Sequence, residues 1–473
     1  MVPGRGVKEL WDRELGASRP RVVARRIQSH EAFVKRMSFY GDLNGHQGCV
    51  NTIHFNRAGD LLVSGSDDKD IIVWNWATKS KEIIYHSGHL DNVFDVRVMP
   101  YTDDRTIITS AADGQVRVGQ IMENGQVTTR QLGLHNGRVH GLAIEQGTPH
   151  VFYSCGEDGL VQRFDMRSHA PTKLLMCSSF LGNGQPIRLN AMVIDPCNPY
   201  HFSIGGSDEY ARVYDIRNCQ WDTSSTSNQP MNTFCPCHLF GTETVHVTGL
   251  AYSSSSELLV SYNDELIYLF SKNMGLGPDP RSVKLDANLQ KLIIPQVYSG
   301  HRNFRTVKGV NFFGPGNEYV VSGSDCGHVY IWKKEGGELM CMMGADTRIV
   351  NCVEPHPHDP VLATSGYDTN IKIWTPVADK LGPLPRNAKQ IMAANKRCRE
   401  AHARITLSPD VVMHVLRLQR RQASTSAESR FSSADTDSDE DDDDVFAFFR
   451  CFLEREQSGT SRGSSDIRDC TVC

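Results

Sequence analysis

An aspartate followed six residues later by an aromatic recurs along this 473-residue chain, and no other feature restricts its fold as much. The two fullest copies are SCGEDGLVQRFDMR, residues 154–167, and IGGSDEYARVYDIR, residues 204–217. In each, small residues lead to a turn aspartate (Asp158, Asp208), a short strand follows, and aromatic–Asp–x–Arg closes it. The same spacing joins Asp68 to Trp74, Asp264 to Phe270 and Asp368 to Trp374. Two more units depart once each. Asp113 is followed by Gly119 in place of an aromatic, and Trp332 is preceded by Cys326 at the turn position, with Asp325 one residue earlier. The seven closing positions, 74, 119, 164, 214, 270, 332 and 374, stand 42 to 62 residues apart. Length alone suggests about three domains, but repeats of this period stack into one body.

A second marker precedes five of the seven turns by about 20 residues. Gly45-His46, Gly88-His89 and Gly300-His301 are full Gly–His pairs, and His135 and His246 are partial ones. Between marker and turn lie short apolar alternations such as VNTIHF (50–55), which read as strands. A 40-odd-residue period, several short strands per unit, a Gly–His and a closing aromatic–Asp are the pattern of the WD-repeat β-propeller, which these seven units in phase resemble. The resemblance implies an all-β, seven-bladed ring over residues 37–376. A four-stranded blade does not bury both faces alone, whereas radial stacking does so and leaves only short edges.

Buried polar groups need partners, and the repeat supplies them. In blade one, Asp68, His46, Ser64 and the Trp74 indole form an expected relay from turn to strand. Blade three repeats it with His135, Ser154 and Asp158 but ends in Phe164. Blade six keeps His301, Ser322 and Trp332 and lacks the aspartate. Asp113, Asp208, Asp264, Asp368 and Trp374 are expected in the equivalent networks. TPVADKLGPLP after residue 374 contains no good strand, so residues near 36–41 are expected to supply the outer strand of blade seven. The excess length in residues 169–189, 218–245 and 271–299 reads as loops.

Charge is concentrated at the two ends. Residues 1–36 hold nine Lys/Arg against four Asp/Glu, and the pattern predicts short helices over 7–15 and 21–36. That arm either packs on the domain edge or docks into a partner. Residues 377–421 read as a basic linker, part-helical, then an amphipathic helix opened by Ser408-Pro409-Asp410. Residues 422–473 read as a disordered Ser/acidic tail, with eight acids and no base in 434–444. Within it Ser438, followed by three acids, resembles an acid-directed kinase site. Cys470 stands where a prenylation box has its cysteine, and one prenyl group would give only weak, reversible membrane contact. The net charge of -5 argues against a nucleic-acid-coating protein. With no N-terminal apolar run, the 14 cysteines are expected as free thiols.

Most propeller blades of this kind close with aromatic–Asp, which ends a strand, and need no arginine two residues later. Nine residues of strand span about 30 Å, which places Arg167 and Arg217 at the end opposite the turn aspartates, on adjacent blades. Two neighbouring exposed guanidiniums suit acidic or carbonyl-rich partners. Here the two stretches resemble the doubled DWD boxes of substrate receptors for cullin-4 RING ubiquitin ligases. GHQGCVNTIHFN (45–56), YNDELIYLF (262–270), GHRNFRTVKGVNFFGP (300–315), SGSDCGHVYIW (322–332) and PHPHDPVLATSG (355–366) are similar to the number-eight branch of the DDB-adaptor-and-cullin-4-associated factors, in its plant-like form. The resemblance implies contact with the damaged-DNA-binding-protein adaptor through Arg167 and Arg217, with Asp165 and Asp215 beside them. Phe164 and Tyr214 stand where the box prefers tryptophan. It also implies a helical arm against the adaptor, an unidentified protein substrate, and nuclear and cytoplasmic pools.

No cofactor and no metal are expected. Cys235-Pro236-Cys237-His238 has no second ligand pair at finger spacing. The chain has no phosphate loop and no G-x-S-x-G. The Ser–His–Asp groupings recur with the blades and read as scaffold bonds, so the chain is expected to be a non-enzyme. The alternative kept open is a WD-repeat scaffold for chromatin or signalling that never meets a cullin.

Overall fold

The computed structural model describes residues 11–17, 19–168, 170–180, 185–219, 221, 229–242, 244–282, 294–382 and 384–404. Ser438, Cys470 and the helix expected from Ser408 lie outside them. Seven four-stranded antiparallel sheets form a WD-repeat propeller. Six blades take four consecutive strands each. The seventh joins Val350–Pro355, Leu362–Gly366 and Asn370–Thr375 to Ser38–Asn44 from the other end of the propeller segment. Ser38 pairs with Thr375 and Asn44 with Asn370, so the ring is closed by a clasp of hydrogen bonds.

Strand composition follows position in the blade. The third strand of blade one, Asp70–Asn75, buries Ile71, Ile72, Val73 and Trp74 because neighbouring blades cover both its faces. The fourth, Ser80–His86, is mostly exposed and alternates. Six of the seven blades shift register by one residue near the start of the first strand, as at Val50/Thr52. A bulge there sharpens the twist a radial blade needs. Blade six pairs Val310–Phe313 with Tyr319–Ser322 without that shift. Where blade two lacks its aromatic, Tyr85 of blade one fills the space: a Cβ on Gly119 would stand 2.6 Å from its hydroxyl.

Two expectations need correction. The helix expected over 21–36 is two helices, Pro20–Gln28 and Glu31–Val34. His30 interrupts them with extended backbone, and its ring accepts the Ala32 N–H as an N-cap. Residues 11–14 are helical. The segments read as loops each contain the fourth strand of a blade: Thr172–Met176, Asn232–Phe234 and Gln296–Tyr298. These edges are short and weakly patterned, so their strand signal is slight. The linker holds a long helix, Ala388–Arg404, whose Ala388, Ile391 and Met392 pack on blade six.

The arm is anchored at its C-terminal end. Val34 and Met37 enter the core of blades six and seven, Tyr319 donates to the Ser29 carbonyl, and Lys333 meets Glu31 at 2.9 Å. Trp11 and Leu15 stay 63% and 71% exposed.

Candidate interaction surface

First and third strands of a blade run parallel, so their C-terminal ends share one face, opposite the aspartate turns. Arg167 and Arg217 follow the third strands of blades three and four, Leu160–Asp165 and Ala211–Asp215, at equivalent positions. Each is clamped on the aspartate two residues before it. In blade three the Asp165 carboxylate accepts from the Arg167 backbone N–H (3.1 Å), Nε (2.9 Å) and Nη2 (2.7 Å). Blade four repeats this between Asp215 and Arg217 at 2.9, 3.0 and 2.7 Å. The local turn therefore sets the direction of the guanidinium before any partner arrives. The arginine hydrogen bond holds both carboxyls below their usual range.

Both arginine side chains remain open to solvent, at 67% and 59%. Of five guanidinium N–H donors the clamp uses two, which leaves three for a carboxylate or carbonyl. Arg217 also lies over the exposed Tyr200 ring at 4.5 Å. The departures from tryptophan are packed rather than vacant. Phe164 stacks on Phe152 at 4.8 Å and Tyr214 on Phe202 at 5.6 Å.

The sequence reading missed a third clamp. Asp279 accepts from Arg281 backbone N–H, Nε and Nη2 at 3.0, 3.0 and 3.1 Å. Arg281 also donates to the Phe180 carbonyl. Asp–x–Arg was present in the sequence, but with no strand-closing aromatic before it the pattern search passed over it. The clamp is thus a property of the turn, and Arg281 is exposed too, at 56%; what distinguishes Arg167 and Arg217 is their equivalent position at the third-strand ends of adjacent blades.

A cavity of about 530 Å³ opens on the same face between the first-strand ends of blades seven, one, two and three. His54, Tyr101, Asp104, Glu145 and Glu354 line it. Burial and nearby Arg97 hold His54 well below its ordinary range, while burial pushes Glu354 up to about 7.

On the other face the relay is complete in blade one. A carboxylate only accepts, so His46 Nδ1–H donates to Asp68 (2.9 Å). Ser64 Oγ–H then donates to Nε2 (2.7 Å), and Trp74 Nε1–H donates to Ser64 (2.8 Å). Blade two uses His89, Asp113 and Thr109, and blade three His135, Asp158 and Ser154. Burial pushes the three aspartates up, yet the hydrogen bonds from the histidine and from backbone N–H groups together outweigh it and they end below the ordinary range. Ser64 is fully buried, so this Ser–His–Asp geometry has no room for a substrate.

Beyond blade three the relay changes chemistry. In blade four Asp208 pairs with buried Arg212 at 2.5 Å, under the Phe180 ring. In blade five the Asp264 N–H donates to the Asn303 carbonyl. The Asn303 amide donates to Thr248, Ser261 and the Tyr262 carbonyl. In blade seven Asp368 accepts from Lys372 (2.7 Å) and Thr347, and Trp374 donates to Thr364. The relay expected in blade six is not formed. Trp332 donates to the Ser299 carbonyl, Ser322 to that of Gly323, and Asp325 pairs with buried Lys308. Without an aspartate at position 326 nothing orients His301 toward the strand hydroxyl. Among the described residues no group of three or more His, Cys, Asp or Glu is placed to hold a metal.

Residues 35–75, 294–333 and 337–375 match the family WD domain, G-beta repeat. Each match runs from the fourth strand of one blade through the third of the next, the phase that makes Ser38–Asn44 the clasp. Protein ALTERED SEED GERMINATION 2 of Arabidopsis thaliana is 33% identical over 287 residues, 54% of this chain and 38% of that protein. DDB1- and CUL4-associated factor 6 of Homo sapiens is 30% identical over 300 residues, 61% and 34%. WD and tetratricopeptide repeats protein 1 of Homo sapiens is 33% identical over 214 residues, 45% and 31%. The chain spans about a third of the length of these curated relatives. The likeness is to WD-repeat proteins that include a cullin-4-associated factor, and it does not single out the number-eight branch.

Proposed function

We propose that this chain is a non-catalytic substrate receptor of a cullin-4 RING ubiquitin ligase, in the number-eight branch of the associated factors. Arg167 and Arg217 are its contacts to the damaged-DNA-binding-protein adaptor. One observation carries the reading: two exposed guanidiniums, clamped alike by Asp165 and Asp215, end adjacent blades on one face. The name of the related factor six supports it. The exposed Trp11 and Leu15 of the arm offer a second, apolar contact. A protein substrate would be held on the opposite face or by the longer inter-strand segments, and the gain in rate would be proximity to the charged enzyme. The reading includes nuclear and cytoplasmic pools and no direct nucleic-acid contact.

The experiment is capture of the adaptor by the wild type and by Arg167→Ala plus Arg217→Ala. Both arginines are exposed, so unfolding midpoints should agree within about 2 °C, the shift expected from under 1 kcal/mol. Adaptor capture should fall at least about ten-fold, the scale of two lost interface arginines. Equal capture by both proteins would sink the arginine assignment. Capture by neither would favour the second reading, a WD-repeat scaffold without a cullin. The Asp279–Arg281 clamp gives that second reading weight, because it shows the turn forming outside the paired strand ends.

A further inference from the structure

Blade six lacks the relay, and a thiol occupies its turn position. His301 is fully buried, yet neither ring nitrogen has a hydrogen-bond partner among the described residues. Its ring lies 5.6 Å from Trp332 and 6.5 Å from Tyr330. In blades one to three the matching imidazole is held by the turn aspartate; here that position is Cys326. Its Sγ donates to Ser324 Oγ at 3.2 Å, lies 3.4 Å from Tyr330 Oη and accepts from Asn395 Nδ2 at 3.5 Å, while His328 Nδ1 stands 2.8 Å from the Cys326 backbone carbonyl.

Asn395 belongs to the Ala388–Arg404 helix. Its amide also donates to the Gly300 carbonyl (2.8 Å) and Tyr330 Oη (3.1 Å). Met392, one turn earlier, packs against Gly300, whose φ of +107° suits only glycine. The helix is therefore seated on the corner that the missing relay leaves, and the thiol is part of its seat.

A hydrogen-bond donor on a sulfur, as Asn395 Nδ2–H is here, favours the thiolate, which is the nucleophile. Burial pushes Cys326 up, but the hydrogen bonds of His328, Ser324, Tyr330 and Asn395 draw it down to about 6. Burial pushes Cys341 up to about 11, and Cys219 and Cys352 to about 12. The titratable groups facing this corner are His301, His328, Tyr330, Lys308, Asp325 and Glu265 from the blades and Arg399 from the helix. Cys326 is half-buried, so a small reagent can reach it.

We propose that Cys326 is a modification site for hydroperoxides and soft carbon electrophiles, and that capping it displaces Asn395 and unseats the Ala388–Arg404 helix. With hydrogen peroxide the thiolate pair takes the distal oxygen. An S–O bond forms, the O–O bond breaks, and hydroxide leaves to be protonated to water by solvent. Sulfur loses two electrons and the peroxide gains them. With iodoacetamide an S–C bond forms and iodide leaves. The proposal is independent of the ligase reading.

The test uses the full chain and iodoacetamide at pH 6.5, with each cysteine followed by peptide mass spectrometry. Cys326 should label at least about ten-fold faster than Cys219, Cys341 or Cys352, since its thiolate fraction is far larger. Hydrogen exchange then reads the helix. Labelled protein should lose amide protection across 388–404, Asn395→Ala should lose it without reagent, and unlabelled Cys326→Ser should keep it. Labelling of Cys326 no faster than the other three overturns the proposal. So does full labelling that leaves the helix protected.

Discussion

Two serines at matching positions in different blades illustrate how much a single residue depends on its partners. Ser64 donates to His46 and accepts from Trp74, and all three are buried. Ser64→Ala leaves an imidazole nitrogen and an indole N–H without partners, at about 1–3 kcal/mol for each such group. Ser322, in blade six, only donates to the neighbouring Gly323 carbonyl at 3.1 Å. Ser322→Ala should cost less than about 1 kcal/mol. Urea unfolding of the two variants should separate them by at least about 1 kcal/mol; equal losses would mean that the relay contributes nothing beyond strand packing.

At the scale of elements, the clasp matters most. Ser38–Asn44 buries Leu43, sets Phe39 against Trp374 at 5.8 Å and covers the edge of Asn370–Thr375. Without it blade seven has three strands and an open edge, which is a template for aggregation. Deleting residues 1–44 should lower the unfolding midpoint by many degrees or send the chain to the insoluble fraction. Deleting residues 1–17, where Trp11 and Leu15 are exposed, should change the midpoint by less than about 2 °C. A large effect of the shorter deletion would show that the start of the arm is part of the fold rather than free for a partner.

At the scale of the whole molecule, buried histidines tie stability to pH. Burial lowers His246 to about 4 and His301 to about 3, and holds His54 well below its usual range. A histidine whose folded pKa is depressed binds its proton more readily in the unfolded chain. Its contribution is complete above about pH 6.5 and is lost as pH falls toward the folded value, by about 1.4 kcal/mol per pH unit per group. Glu354 at about 7 and Asp346 at about 6 act in the opposite sense, since the folded state takes their protons first. The wild-type curve mixes both signs, so the difference between variants is the clean readout. His301→Leu should flatten the decline in stability between pH 6.5 and 4.5. An unchanged slope would mean that His301 is already protonated, or reached by water, in the folded chain.

The repeat was legible because most blades repeat the same local chemistry. A turn aspartate, a short buried strand and a closing aromatic have fixed spacing in five units, blades two and six depart once each, and seven units in phase determine a ring. The clasp followed by subtraction, since the last unit lacked a strand and Met37 and Phe39 alternate before the first. The Asp–x–Arg clamps were also local: their geometry depends on three consecutive residues, and only their exposure had to be seen. In blades four and seven the cation stands four residues after the turn aspartate, Arg212 after Asp208 and Lys372 after Asp368, a local spacing. The relays of blades five and six were not legible: Asn303 and Lys308 reach their partners across strands or blades, and no spacing rule connects them. The seat of the Ala388–Arg404 helix was hidden for the same reason. Asn395 and Cys326 are 69 residues apart, and their contact exists only because the helix returns to the one blade whose relay is missing. The sequence by itself determined the period, the number of blades and the positions of the paired arginines, which are set by bonding between near neighbours. The tertiary structure alone decided which buried groups meet, because that depends on which surfaces the closed ring brings together.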